Sequence, residues 1–222
     1  MKNERTPKPN IVVAKADHLA SMVECHCAAF PGEFLTLMGK TFLASFYGFY
    51  NSHPDSISLV AVDGETNRVM GLVIGGRPDL RSVFLYKHVL LFVATAFRKA
   101  FANARIRERL LEHISNPVRR IRMRLGKRGD DYPPEIPPED PPGTWSNLLS
   151  ICTHPDFRRR GVSRALMKQF EWESYKRGYS SMRLSVHNDN SSAIGLYKKC
   201  GWNPVLVTQK GTYLKRSIDI SP

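Results

Sequence analysis

The stretch His154-Pro155-Asp156-Phe157-Arg158-Arg159-Arg160-Gly161-Val162-Ser163-Arg164-Ala165-Leu166 joins an apolar, strand-like run directly to a helical pattern. Such a junction has chemical use. The first amides of a helix have no acceptor within the helix, and they lie at the positive end of its dipole. Together they make an anion site suited to a pyrophosphate. Gly161 lets the backbone come close to phosphates, and Ser163 is small enough not to block them. Arg158, Arg159 and Arg160 add charge-assisted hydrogen bonds. Two commoner phosphate motifs are absent from the chain, G-x(4)-G-K-S/T and G-x-G-x-x-G. Their absence sets aside P-loop nucleotide hydrolysis and a Rossmann dinucleotide site. An ordinary solvated, basic helix start would carry the same arginines, so this segment alone leaves the choice open.

A second cluster follows one strand-helix unit later: Asn190-Ser191-Ser192-Ala193-Ile194-Gly195-Leu196-Tyr197-Lys198-Lys199-Cys200-Gly201-Trp202. With both clusters in this order, the sequence resembles the GNAT superfamily of acetyltransferases. That family carries Arg/Gln-x-x-Gly-x-Gly/Ala at the start of the helix after its fourth strand. Arg158-x-x-Gly161-x-Ser163 matches, with Ser163 in place of Gly or Ala. It also carries N-x-x-A-x-x-L-Y-x-x-x-G-F/W, which matches from Asn190 through Tyr197 to Gly201 and Trp202. The resemblance is good over residues 148–202, rests on element order alone over residues 11–76, and leaves residues 81–143 outside it.

The resemblance implies an acyl-CoA-dependent N-acyltransferase that uses acetyl-CoA as co-substrate and no metal. Residues 150–153 would splay from residues 183–186, and the pantetheine arm would enter the gap and pair with backbone groups of Ile151 and Thr153. A backbone amide near Cys152 would stabilise the oxyanion. The pyrophosphate would rest on the amides of Arg159, Arg160, Gly161, Val162 and Ser163, beside Arg158. Asn190 would bond the pantetheine arm or the turn beside it. Tyr197 would protonate the departing thiolate as general acid; its competing reading is a half-buried helix tyrosine.

An ammonium acceptor must first lose a proton, and here the sequence is thin. Many relatives place a Glu on the fourth strand, whereas this one reads Ser146-Asn147-Leu148-Leu149-Ser150-Ile151. Glu33, between the first two helical patterns, is the preferred base. His187 and a water held by Ser146 or Asn147 stand as alternatives. Cys152 as a covalent nucleophile lacks a His partner that can be placed, and His154 before Pro155 reads as a turn residue.

Around these motifs the order reads β-α-α-β-β, a basic insertion, then β-α-β-α-β-β. The expected fold is mixed α/β, a mostly antiparallel central sheet flanked by helices, with the insertion between the third and fourth strands. The spacing predicts helices over residues 19–27 with Asp17 as N-cap, 35–50, 83–114, 159–177 and 191–200. It predicts strands over residues 11–14, 57–62, 69–74, 148–153, 182–186, 205–207 and 212–218. One domain is expected, with core residues 10–80 and 144–222, an inserted basic region 81–129 and a proline-rich acidic linker 130–143.

Net charge is +13 over 222 residues. The excess is concentrated: residues 81–128 hold thirteen Lys or Arg against Glu108 and Glu112 alone. Tyr86, Val89, Leu90, Val93, Phe97 and Phe101 fall at helical spacing in the same stretch. Three uses compete for it: an extra helical layer on the acceptor side, an interfacial helix on an anionic membrane, and nucleic-acid contact. The last is weakest, since aromatics do not interleave with the arginines. Cys25-His26-Cys27 lacks zinc-site spacing, and Cys25, Cys27, Cys152 and Cys200 read as free thiols of a reducing compartment. No signal pattern opens the sequence, and no apolar run approaches the ~20 residues that span a bilayer. A cytoplasmic protein is expected, with peripheral contact at the inner face of the membrane as one option. The expected acceptor is a small amine or amino sugar. A protein N-terminus or lysine is the runner-up, and a non-catalytic CoA-binding protein docked on membrane or RNA is a third reading.

Overall fold

The computed structural model describes residues 9–66, 68–102 and 143–219. Residues 103–142, and with them most of the basic stretch and nearly all of the proline-rich linker, lie outside the described residues.

Among the described residues seven strands form one sheet in the order β1-β2-β3-β4-β5-β7-β6. They are β1 (Asn10–Val13), β2 (Ser56–Val62), β3 (Val69–Gly76), β4 (Trp145–Thr153), β5 (Ser181–His187), β6 (Asn203–Val207) and β7 (Gly211–Ser217). All neighbours pair antiparallel except β4 and β5, which run parallel. Every residue of β2 and β3 is buried. These strands lie between helical layers, so they read as continuous apolar runs and not as alternating ones.

One face carries α1 (Leu19–Ala29), α2 (Phe34–Met38) and α3 (Lys40–Ser52). In α3, Phe42, Leu43, Phe46, Tyr47, Phe49 and Tyr50 are buried at helical spacing. They pack with Val60, Leu72, Ile74 and Cys152 from the sheet. After β3 come α4 (Leu80–Lys87) and α5 (Val89–Ala102), which lean on this layer through Phe84 and Phe92; the Phe92 ring lies 6.0 Å from Phe42 and 6.5 Å from Phe34. The opposite face carries α6 (Val162–Lys176) and α7 (Ser191–Lys199). Val162, Leu166, Phe170, Tyr197 and Trp202 are buried there against Leu59, Met70 and Val73.

Several expected boundaries shift. The helix over residues 35–50 is two helices broken at Gly39. Asp17 lies inside a short turn, Ala16–His18, and His18 takes the cap position of α1. Residues 80–102 form two helices meeting at His88, not one. α6 starts at Val162 and not at 159, which leaves Arg159 and Arg160 in the loop. Each shift reflects turn chemistry that a hydrophobic period does not register. Among the described residues no helix is long and apolar enough to cross a membrane.

Candidate active site

The parallel ladder between β4 and β5 contains only Trp145↔Ser181, Ser146↔Met182 and Asn147↔Arg183. Beyond it the strands part, while β5 stays paired with β7 as far as His187↔Gly211 and β4 stays paired with β3 as far as Gly71↔Thr153. The edge of β4 from Leu148 to Thr153 therefore faces a gap. Its polar groups follow from the register. Opposed residues in an antiparallel pair alternate between exchanging hydrogen bonds and not exchanging them. His154 N–H donates to the Met70 carbonyl at 2.9 Å, so Cys152 bonds toward β3 along with Leu72, its partner in the register. The backbone groups of Ile151 and Thr153, one step out of phase, turn to the gap. An extended amide-containing chain laid in the gap would meet donors and acceptors at a two-residue repeat.

The gap leads to the start of α6. His154 Nδ1 accepts from the Asp156 amide at 3.3 Å, closing a short turn over Pro155–Phe157. Phe157 is buried and anchors that turn; the guanidinium carbons of Arg68 and Arg160 lie 5.3 and 5.4 Å from its ring centre. Arg159 has φ 61° and Gly161 φ 76°, both left-handed. Left-handed residues at a helix start are the geometry in which successive amides converge on an anion. The first helical bond runs from Ala165 N–H to the Gly161 carbonyl, 3.0 Å, so the amides of Val162, Ser163 and Arg164 precede the ladder. A Cβ built on Gly161 meets nothing within 4 Å, so the space above this cradle is open. Two links fix the loop: the hydroxyls of Thr153 and Ser163 are 2.7 Å apart, and Arg158 donates to the Ala29 carbonyl at 3.4 Å. These features fit a pyrophosphate at the helix start with a pantetheine-like arm in the gap.

Asn190 and Tyr197 come from α7. The Asn190 side-chain carbonyl accepts from the Ala193 amide at 3.1 Å and so caps this helix. That oxygen is committed to the turn, which makes Asn190 the residue that sets the entry of α7. Tyr197 is 7% exposed, and its ring centre lies 5.9 Å from that of Trp202. Burial pushes its hydroxyl up to about 12, so it holds its proton at neutral pH.

The proposed bases separate. Glu33 is exposed and begins α2, on the opposite side of the sheet from the cluster that holds Tyr197. His187 is exposed at the end of β5. Ser146 is fully buried, its hydroxyl 2.8 Å from that of Ser174 on α6, so it cannot hold a water for the acceptor. Cys152 also departs from the expected role. Its backbone belongs to the β3 ladder, and its buried Sγ sits 3.9 Å from Cys25 Sγ under α1. That bond draws the Cys25 thiol below its ordinary value, while the same bond and burial push Cys152 up.

Beneath β4 lies a buried polar group that sequence reasoning missed. His26 Nδ1 is 2.6 Å from the Tyr47 hydroxyl, and both groups are buried. Burial holds the His26 imidazole down at about 4, so it is neutral. His26 and Tyr47 both lie on the buried helical stripes of α1 and α3; only their polar tips mark them out, and a stripe of apolar neighbours hides such tips.

Comparison with known proteins agrees with this geometry. Residues 127–202 match the family described as Acetyltransferase (GNAT) family. Over 62 residues the chain is 36% identical to the ribosomal protein bS18 alanine N-acetyltransferase of Escherichia coli (strain K12). That match covers 28% of this chain and 42% of the relative, so the chain spans about two fifths of the curated relative's length. The crystal structure of the ribosomal-protein-S18-alanine N-acetyltransferase from Escherichia coli aligns over 96% of each chain, with TM-score 0.54 and 14% identity. The PaiA N-acetyltransferase of Thermoplasma acidophilum in complex with coenzyme A aligns over 95% of this chain and 99% of its own, with TM-score 0.57 and 12% identity. At these identities the two structures speak to the fold.

Proposed function

We propose that the chain, whose residues 127–202 match the GNAT acetyltransferase family, is an acetyltransferase of that kind and transfers an acetyl group from acetyl-CoA to a primary amine. The observation that carries this reading is the end of the β4–β5 ladder at Asn147↔Arg183, which opens a polar backbone edge leading to the amide cradle at Gly161. Bound acetyl-CoA would supply an activated acyl carbon as a thioester. The chain's own groups do the rest. The amides of residues 159–164 and Arg158 hold the diphosphate. Ile151 and Thr153 align the arm along β4. An amide on that edge meets the oxyanion as the amine nitrogen bonds to the acyl carbon. Tyr197 gives its proton to the sulfur as the carbon–sulfur bond breaks. Glu33 is the proposed acceptor of the ammonium proton, with His187 as the competing base.

A small amine or amino sugar is the proposed acceptor. The similarity to an enzyme named for alanine acetylation of a ribosomal protein favours a second reading, a protein N-terminus. Two experiments test these readings. Acetyl-CoA at ~100 times its dissociation constant should stabilise the fold by about 2.7 kcal/mol; no upward shift in melting temperature removes the co-substrate site. Thiol release from acetyl-CoA, measured over a panel of amines, amino sugars and N-terminal peptides, then separates the acceptors. Release with peptides alone removes the small-molecule reading.

A further inference from the structure

Helices α4 and α5 are apolar on two sides. Their inner side is used: Leu80 and Phe84 are buried, and Leu91 and Phe92 pack on the α1–α3 layer. Among the described residues nothing covers their outer side. Tyr86 is 86% exposed and Leu90 82%, and Leu85, Val89 and Val93 are exposed beside them. Residues 86, 89, 90 and 93 follow the spacing of one helical face across the bend at His88. A helix apolar all round belongs where both sides are covered, and a contiguous apolar patch on a surface marks an interaction site.

The charges around the patch select its partner. Residues 81–95 carry the exposed Arg81 and Lys87 and no acid. A second copy of this chain seated on the patch would oppose one basic face to another, since a two-fold interface is self-complementary, and like charges across it are costly. Nucleic acid would satisfy the cations but leave Leu85, Val89, Leu90 and Val93 without an apolar partner, and only Tyr86 could stack. An anionic bilayer satisfies both. Its headgroups meet the basic flanks, while the leucines, valines and the tyrosine enter the boundary with the acyl chains. We propose that the outer face of α4–α5 is a peripheral docking surface for anionic lipid bilayers.

The same helix pair touches the start of α2. Phe92 on α5 packs against Phe34, the residue after Glu33, so docking would hold the α1–α2 loop near the membrane plane. The docking itself does not depend on the acetyl-transfer reading.

The test is co-sedimentation of the full chain with phosphatidylcholine vesicles carrying phosphatidylglycerol, against phosphatidylcholine alone. The wild type should pellet with the anionic vesicles only. Tyr86→Ser combined with Leu90→Ser should weaken that binding at least about tenfold, with an unchanged melting temperature and an unchanged shift on adding acetyl-CoA. Both side chains are solvent-facing, so the fold should survive the change. Three outcomes would overturn the proposal: no binding to either vesicle, equal binding by the variant, which would assign it to charge alone, and a wild-type dimer that the variant converts to a monomer. Preferential binding of RNA that persists in the double variant would do so too.

Discussion

Gly161 holds a left-handed conformation at φ 76° with open space above it. Gly161→Glu therefore combines backbone strain with a carboxylate where phosphates would lie. The melting-temperature rise with acetyl-CoA should vanish in this variant; a retained rise would remove the cradle from the site. Tyr197→Phe keeps the packing on Trp202 and removes only the proton. Turnover at saturating substrates should fall by about 10²-fold with little change in acetyl-CoA affinity, and equal turnover would end the general-acid role. His26 makes a different kind of prediction. Its folded value of about 4 lies below the ordinary 6.5, so the unfolded chain binds the proton more tightly. The resulting stability is complete above pH 6.5 and is lost as pH falls through 4, to a limit of about 3 kcal/mol. Replacing His26 with Gln should flatten the melting-temperature profile in that window relative to wild type; parallel profiles would refute the assignment. At this scale the sequence was informative where chemistry is tied to backbone position, as at Gly161 and Tyr197. It was silent where function depends on direction. Nothing in the letters tells that Cys152 turns under α1, or that the oxygen of Asn190 is spent on its own helix.

Among the elements, α6 matters most because its start is the cradle. It can lie close to the sheet because β3 offers Gly71 beneath it. A Cβ there would stand 2.9 Å from Val162 and 3.2 Å from Leu166, and 2.6 Å from the Cys152 carbonyl. Gly71→Ala should cost about 1–3 kcal/mol through overpacking and should weaken acetyl-CoA stabilisation by displacing the helix start. A lower melting temperature with an intact ligand shift would separate packing from positioning. The order of elements was legible from apolar periods and turn residues, and the strand ends fell within two residues of expectation except at β4, which starts three residues early, at Trp145. Helix starts were less legible. The run Arg158-Arg159-Arg160 reads as helix by composition, yet Arg159 is left-handed, a local choice that no period encodes.

For the whole molecule, the seven strands make one sheet in name but two by bonding. The halves β1-β2-β3-β4 and β5-β7-β6 share three residue pairs, while the antiparallel ladders inside each half hold between four and seven. This seam was not legible in advance from residue types, because the residues on either side of it are ordinary strand formers; only the family resemblance pointed to it. A linear co-substrate bound along the free edge of β4 would act as a splice, giving the left half of the sheet a second hold on the right. Occupancy would then convert into mechanical continuity. Backbone amides of β5 and β7 should exchange with solvent more slowly when acetyl-CoA is present, and without it the sheet should yield first along this seam.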